Sequence, residues 1–405
     1  MAPAGDFPSL DAAIKAGADA VYFGVKGFNM RAGAKNFSVA EIGKVAAICK
    51  RAGVKSYITL NTIYYENELK KLERLIVKIA EAKIDAVIAW DFGAIALAKK
   101  HGVEVFLSTQ ASVANALSAA QYFEKFGIRR FVLARECSLD DIAKIKRGML
   151  EKFGKDAEIK IEVFAHGAMC VSQSGRCFMS TFACGKSANR GECMQPCRRE
   201  YRIEDANGNG FVVGNGYVLS PKDLCTIGFI EKVFAAGADS LKIEGRNRNP
   251  EYVFATVSAY RKLRDFYFAN RRKPNFAADF AKMKSDAIAE VSKVFNRGFS
   301  DGFFMGKPVG DWTSDGNKAT AKKRIVGHVV RFFPKISVAE ISIDNTPISV
   351  GDKIQIEGKN SGYTEVLVES MQIEGKNVQN APKGSNIGLK VPTPLKKADL
   401  VYILK

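Results

Sequence analysis

Cys170 and Cys177, followed by Cys193 and Cys197, are the residues whose type and spacing most directly imply chemistry. With Cys184 and Cys225 they place six of the eight cysteines between positions 170 and 225. Thiols gathered this way hold a metal or form a disulfide knot. The spacing of the first four is C-x6-C-x15-C-x3-C. Structural zinc sites favour close C-x2-C pairs, which this pattern lacks. Four thiolates on irregular loops suit an iron–sulfur (4Fe-4S) cluster, whose cube accepts varied spacing. On spacing alone zinc and other thiol uses stay open.

A second set of candidates lies where short apolar segments end in polar residues: Asn61, Asp91, Gln110, Arg135, Glu136, His166, Glu244 and Arg246. Buried strand ends rarely carry charge unless it is paired or used. Glu136, Glu244 and His166 are the candidate catalytic groups. Arg246, Arg176, Gln110 and Asn61 are the candidate substrate-binding groups. The competing reading makes Arg135, Glu136, Glu244 and Arg246 ion pairs that hold the sheet's mouth, and His166 a satisfied core histidine. His166 stands four residues before Cys170 and is one of three histidines. No H-E-x-x-H motif or protease signature occurs, so hydrolysis has no visible machinery.

The chain has 61 basic and 43 acidic residues, a formal charge of +18, which suggests a polyanionic partner, nucleic acid first. From Arg261 to Lys273 six basic residues flank Phe266, Tyr267 and Phe268. That stretch suits a phosphate backbone with stacked bases, or an amphipathic helix with its aromatics packed inward. No apolar run is long enough to cross a membrane. The N-terminus lacks the charged and apolar regions of a signal peptide, so a cytoplasmic protein is expected. Thiols stay reduced there, which favours metal ligands over disulfides.

These residues need a scaffold. Apolar segments at 20–24, 57–61, 86–90, 105–110, 130–136, 161–166 and 240–246 alternate with helical patterns, and residues before Asp6 supply the tail of a first strand. Such alternation implies a parallel sheet covered on both faces. Eight βα units predict a TIM-like (β/α)8 barrel over 1–315, and a doubly wound sheet is the alternative. The gap at 167–239 is then a cysteine-rich insertion at the C-terminal face, where barrel active sites are built. From 320 to 405, alternation in period two predicts a small antiparallel β-barrel.

The stretch from Glu162 to Tyr201 (EVFAHGAMCVSQSGRCFMS…GKSANRGECMQPCRREY) resembles the collagenase-like peptidase family of unassigned mechanism, family "U thirty-two". APAGD at 2–6, GADAVYFG at 17–24, LSTQAS at 107–112, VLARE at 132–136, LSPKDLC at 219–225, KIEGR at 242–246 and FNRGFSDGFF at 295–304 extend the resemblance over nearly the whole chain. It departs from the family in the short first strand before Ala2. The family includes prephenate-dependent tRNA uridine hydroxylases, a ribosomal RNA cytidine hydroxylase and oxygen-independent ubiquinone hydroxylases. The resemblance implies a 4Fe-4S cluster on Cys170, Cys177, Cys193 and Cys197, with Cys184 and Cys225 outside the ligand set. The layout is most similar to the tRNA hydroxylases, which implies hydroxylation of carbon 5 of the wobble uridine with prephenate as oxygen source. The C-terminal region is similar to the family's small barrel, itself like the second domain of elongation factors, which suits a tRNA partner. A peptidase is the alternative that the family name carries, and a ubiquinone-precursor hydroxylase is another.

Overall fold

The computed structural model describes every residue except 203, 211–216, 218, 309, 314 and 315. Three of those positions or runs fall in the cysteine-rich insertion, whose full course therefore lies partly outside the described residues.

Eight short strands run parallel in chain order: β1 (Ala2–Ala4), β2 (Ala20–Gly24), β3 (Lys55–Leu60), β4 (Ala86–Ala89), β5 (Val105–Leu107), β6 (Arg130–Val132), β7 (Lys160–Gly167) and, after the insertion, β9 (Ser240–Ile243). Their side chains are buried nearly end to end, as in parallel sheets covered on both faces. On the inner side Tyr22 and Ile88 pack with Ala20, Tyr57 and Ala86. On the outer side Val21, Phe23, Ile58, Leu60, Val87 and Leu107 meet the helices. The terminal amine of Met1 donates to Leu241 O at 2.7 Å and Ile243 N donates to Met1 O at 3.1 Å, so the first and last parallel strands lie side by side.

The helices start where the sequence supplies caps. α1 (Phe7–Lys15) begins at Asp6, whose carboxylate accepts from Ser9 N at 2.9 Å. α6 (Leu139–Phe153) begins at a reciprocal Ser138–Asp141 box. The remaining covering helices are α2 (Ile42–Arg51), α3 (Leu69–Glu81), α4 (Phe92–Lys100) and α5 (Ala116–Phe126), then α8 (Ile230–Ala235), α9 (Pro250–Asn270) and α10 (Phe276–Ser292).

Two short strands extend the sheet beyond the expected eight. β8 (Asp223–Cys225) runs antiparallel to the end of β7, and β10 (Phe299–Ser300) pairs with β8. Elements of three and two residues leave no periodicity to read, and β8 falls inside the stretch expected to be irregular. The basic stretch from Arg261 ends α9, where Phe266 stacks on Phe280 at 6.1 Å and Tyr267 lies against Phe234. Those two aromatics are packing residues; Phe268 is 54% exposed.

The C-terminal part forms an eight-stranded antiparallel sheet that includes β11 (Lys323–Phe333), β12 (Val338–Ile343), β14 (Lys353–Gly358), β15 (Gly362–Leu367) and β20 (Leu400–Leu404). Its own core holds Val326, Ile341, Ile354, Leu389 and Ile403. It docks on α1 and α9. Tyr363 N donates to Asp11 at 2.7 Å, Lys15 Nζ donates to Tyr363 O at 2.6 Å, and Lys323 Nζ bridges Glu251 at 2.8 Å and Glu357 at 2.6 Å.

Candidate active site

The loops that follow the parallel strands surround a cavity of about 190 Å³. Cys170, Cys177, Cys193 and Cys197 all line it, as do Asn61, Gln110, Glu244 and Arg246. Strand ends and insertion thus converge on one space, at the end of the sheet where parallel α/β folds place ligands.

The insertion is held against the strand ends by specific bonds. Arg198, next to Cys197, donates to Met169 O at 2.6 Å, to Ser220 Oγ at 3.0 Å and to Pro221 O, joining the second cysteine pair to the loop that carries Cys170. Asn189 accepts from Cys177 N at 2.9 Å and its carbonyl accepts from Thr62 Oγ1 at 3.0 Å. Arg190 grips Glu68 with both guanidinium arms, at 2.6 and 2.9 Å. Gly191, at φ +96°, passes so close to the loop after β2 that an added Cβ would sit 2.5 Å from Asn29 O. A side chain there would push the insertion off the sheet.

All eight cysteines are free thiols. Burial pushes the Cys197 thiol up; Arg198 opposes this, and the Cys170, Cys193 and Cys177 sulfurs add to it. The other three sulfurs are therefore near enough to Cys197 to act on its charge. Among the described residues, no three His, Cys, Asp or Glu side chains are grouped as metal ligands. The donor set nonetheless fits a thiolate-held cluster in kind: four soft ligands, no competing histidine, and arginines around them to offset anionic charge.

Cationic groups dominate the remaining wall, Arg297 among them, and Arg31, Arg135, Arg246 and Lys242 face Glu244. Burial opposes ionisation of Glu244, but Arg31, Arg246, Arg135 and Lys242 prevail and hold its carboxyl at about 2. Glu244 accepts from Arg31 Nε and from Tyr22 Oη, at 3.4 and 3.3 Å. It is a fixed anion at neutral pH, unsuited to taking up a proton. Arg246 donates to Asn29 Oδ1 at 2.9 Å and Thr59 Oγ1 at 2.8 Å, while its Nε is buried with no acceptor. The Nε atoms of Arg135 and Arg297 are likewise buried without acceptors. Asn61 and Gln110 meet at 3.5 Å, and Gln110 also accepts from Ser108 Oγ.

Three other candidates lie outside this wall. Glu136 accepts from Ser174 N at 2.8 Å and Ser174 Oγ at 3.2 Å, anchoring the turn between Cys170 and Cys177. Arg176 is exposed, bonded to Ser112 Oγ at 3.0 Å, with its guanidinium 5.6 Å from the Trp90 ring. His166 is 2% exposed among Tyr252, Tyr260 and Phe299, and burial lowers its pKa to about 3. The bulge between Phe164 and His166 separates it from the cavity that Phe164 lines. His101 pairs with Glu73 and His328 with Asp344, so no histidine lines the cavity.

Residues 5–314 match the family model described as Peptidase family U32. The chain belongs to that family. A U32 relative called "Collagenase" from Porphyromonas gingivalis is 39% identical over 408 residues, 99% of this chain and 96% of its own. A "tRNA hydroxylation protein P" from Helicobacter pylori is 36% identical over 320 residues, 76% of this chain and 72% of its own. A 23S rRNA 5-hydroxycytidine synthase from Escherichia coli is 34% identical, over 77% of this chain and 48% of its own. Relatives are thus named both as RNA-modifying enzymes and as peptidases, which supports an enzyme.

Sequence reasoning did not single out Arg31, Arg297 or Lys242. Arg31 and Arg297 lie in loops with no periodic signal. Lys242 sits in a strand of four residues, too short to show which face it presents. Their only sequence trace is that Lys242 and Arg297 fall inside the family motifs KIEGR and FNRGFSDGFF.

Proposed function

We propose that this U32 protein hydroxylates RNA, with carbon 5 of the wobble uridine in tRNA as the target and prephenate as the oxygen source. The observation that carries this reading is the cavity itself, where four thiols and seven cationic side chains converge and no histidine enters. A cysteine or serine peptidase needs a base beside its nucleophile. Here each histidine is occupied elsewhere, and Glu244 is held as a spent anion. The collagenase reading has names in its favour and no catalytic constellation.

The parallel strands, joined first to last through Met1, are read as a TIM-like (β/α)8 barrel carrying the insertion on its catalytic face. Cys170, Cys177, Cys193 and Cys197 would hold a 4Fe-4S cluster, which supplies one-electron or Lewis-acid chemistry when bound. The protein's own contribution is binding and orientation. Guanidinium Nε atoms of Arg135 and Arg246 offer donors to a carboxylate, and a planar guanidinium matches that group.

RNA binding is supported by the +18 charge and by Phe178 and Phe182, which are 63% and 88% exposed on the insertion beside Cys177. Exposed rings next to a reaction cavity suit stacking with a base drawn out of its strand. The deciding experiment is mass spectrometry of nucleosides from tRNA and rRNA of cells with and without the gene. Loss of 5-hydroxyuridine derivatives supports the reading. An unchanged RNA profile with altered quinone intermediates would favour the small-molecule hydroxylase instead.

A further inference from the structure

Lys242 is a lysine on the inner face of the sheet that the ion pairs around it do not use up. It is 4% exposed and lines the cavity floor. Among the described residues its side chain makes a single hydrogen bond, a long one of 3.4 Å to Glu162 Oε1. Glu162 has closer partners. Arg130 reaches Glu162 Oε2 through Nε at 2.9 Å and Nη2 at 2.5 Å, and Ser240 Oγ adds a third bond at 2.9 Å. A buried ammonium with three donors and one weak acceptor is an arrangement with capacity left over.

What surrounds Lys242 indicates how that capacity is used. Its Nζ lies 4.6 Å from the centroid of the Tyr22 ring, over which Arg246 sits at 5.7 Å. It lies 5.5 Å from the Phe164 ring, over which Arg135 sits at 4.1 Å. The lysine is therefore bracketed by two guanidinium groups across two aromatic rings, and each of those arginines has an Nε without an acceptor. An amine between two carboxylate receptors is the recognition pattern for a small acid bearing a carbonyl close to its carboxylate. Burial lowers the Lys242 pKa to about 8 despite the opposing pull of Glu162, so neutral amine is available near physiological pH.

We propose that Lys242 condenses reversibly with the ketone of a 2-oxo acid whose carboxylate is held by Arg135 and Arg246. The neutral amine adds to the carbonyl carbon, forming the N–C bond. The carbonyl oxygen takes up the proton the ammonium gave up and a proton from the adding nitrogen, and leaves as water. Ammonium plus ketone gives iminium plus water, so charge balances and neither oxidant nor reductant is consumed. The resulting cation rests beside Glu162 and Glu244. Prephenate is itself a 2-oxo acid, so the identity of the natural ligand rests on the function proposed above. The lysine chemistry does not.

The test is reductive trapping. The full-length protein is incubated with pyruvate or with prephenate and cyanoborohydride, then digested and mapped by mass spectrometry. The expected result is a reduced adduct on the peptide carrying Lys242, lost in Lys242→Met and in Lys242→Arg, the second keeping a cation beside Glu162. Melting-temperature shifts with each 2-oxo acid report binding separately. Binding without an adduct at Lys242 overturns the proposal, and so does the absence of binding by both acids. An adduct at Lys242 in a protein whose absence leaves the RNA modification profile unchanged would keep this inference while rejecting the RNA reading.

Discussion

Arg190 and Glu68 meet arm to arm at 2.6 and 2.9 Å, and this contact ties the cysteine-rich insertion to the loop after β3. Arg190 also donates to Ile63 O at 2.7 Å and lies 4.7 Å from the Tyr65 ring. One side chain on the insertion thus reads three residues of the loop beneath it.

Arg190→Ala is expected to loosen residues 170–200 with little effect on the rest. The pair is about a quarter exposed on each side, so the global cost should be about 1 kcal/mol. Limited proteolysis should show faster cleavage within the insertion while the melting temperature falls by only a few degrees. A uniform loss of stability with no local cleavage would contradict this.

Cys170→Ser, Cys177→Ser, Cys193→Ser and Cys197→Ser should each abolish iron and sulfide in anaerobically purified protein. Cys184→Ser, on an exposed position, and Cys225→Ser, on buried β8, should retain both. Iron and sulfide analysis with visible absorption separates the two groups. A colourless, iron-free wild-type protein would remove the cluster from the reading altogether.

Acid should destabilise the protein through two buried groups of opposite kind. Burial disfavours charge on Glu162, but Arg130 and Lys242 prevail and depress it to about 2. Its stabilisation is therefore complete above the ordinary value of 4.5 and is lost as pH falls toward 2. His166, neutral in its apolar surroundings, is depressed to about 3, so the unfolded chain takes up a proton first as pH drops below 6.5. Denaturation followed between pH 7 and 4 should show stability falling with pH, and His166→Asn should flatten that slope. Glu162→Gln at neutral pH leaves Arg130 without its anion and should cost about 3–5 kcal/mol.

Phe182→Ala should weaken RNA binding without changing thermal stability, because the ring is 88% exposed and packs only loosely on Phe178. Stacking on a base contributes about 1–3 kcal/mol, which corresponds to roughly a 5- to 150-fold loss of affinity. Fluorescence anisotropy with labelled tRNA at fixed salt measures it. Equal loss of binding and of melting temperature would instead assign the ring to packing.

Legibility followed length and burial. The strand at 86–89 and the helix at 92–100 were readable because each spans several residues of one pattern, whereas β10, two residues long, carries no pattern at all. The four cysteines were visible as types and as spacing, and the structure brings them to one cavity. Direction was the hidden variable. Glu244 and His166 both end buried strands, yet one lines the cavity and the other faces Tyr260, because a single bulge after Phe164 changes the register. Nothing in the identity of either residue encodes that bulge. Arg31 escaped notice for a related reason: its role depends on a loop path fixed by the approach of Gly191 to Asn29.

Lys323, held between Glu251 at the start of α9 and Glu357 of β14, ties the C-terminal sheet to the helix that follows the last parallel strand. The distance between them is then set by a buried charge triad. Any movement of the C-terminal sheet relative to the cavity would therefore have to unfasten this charged latch first.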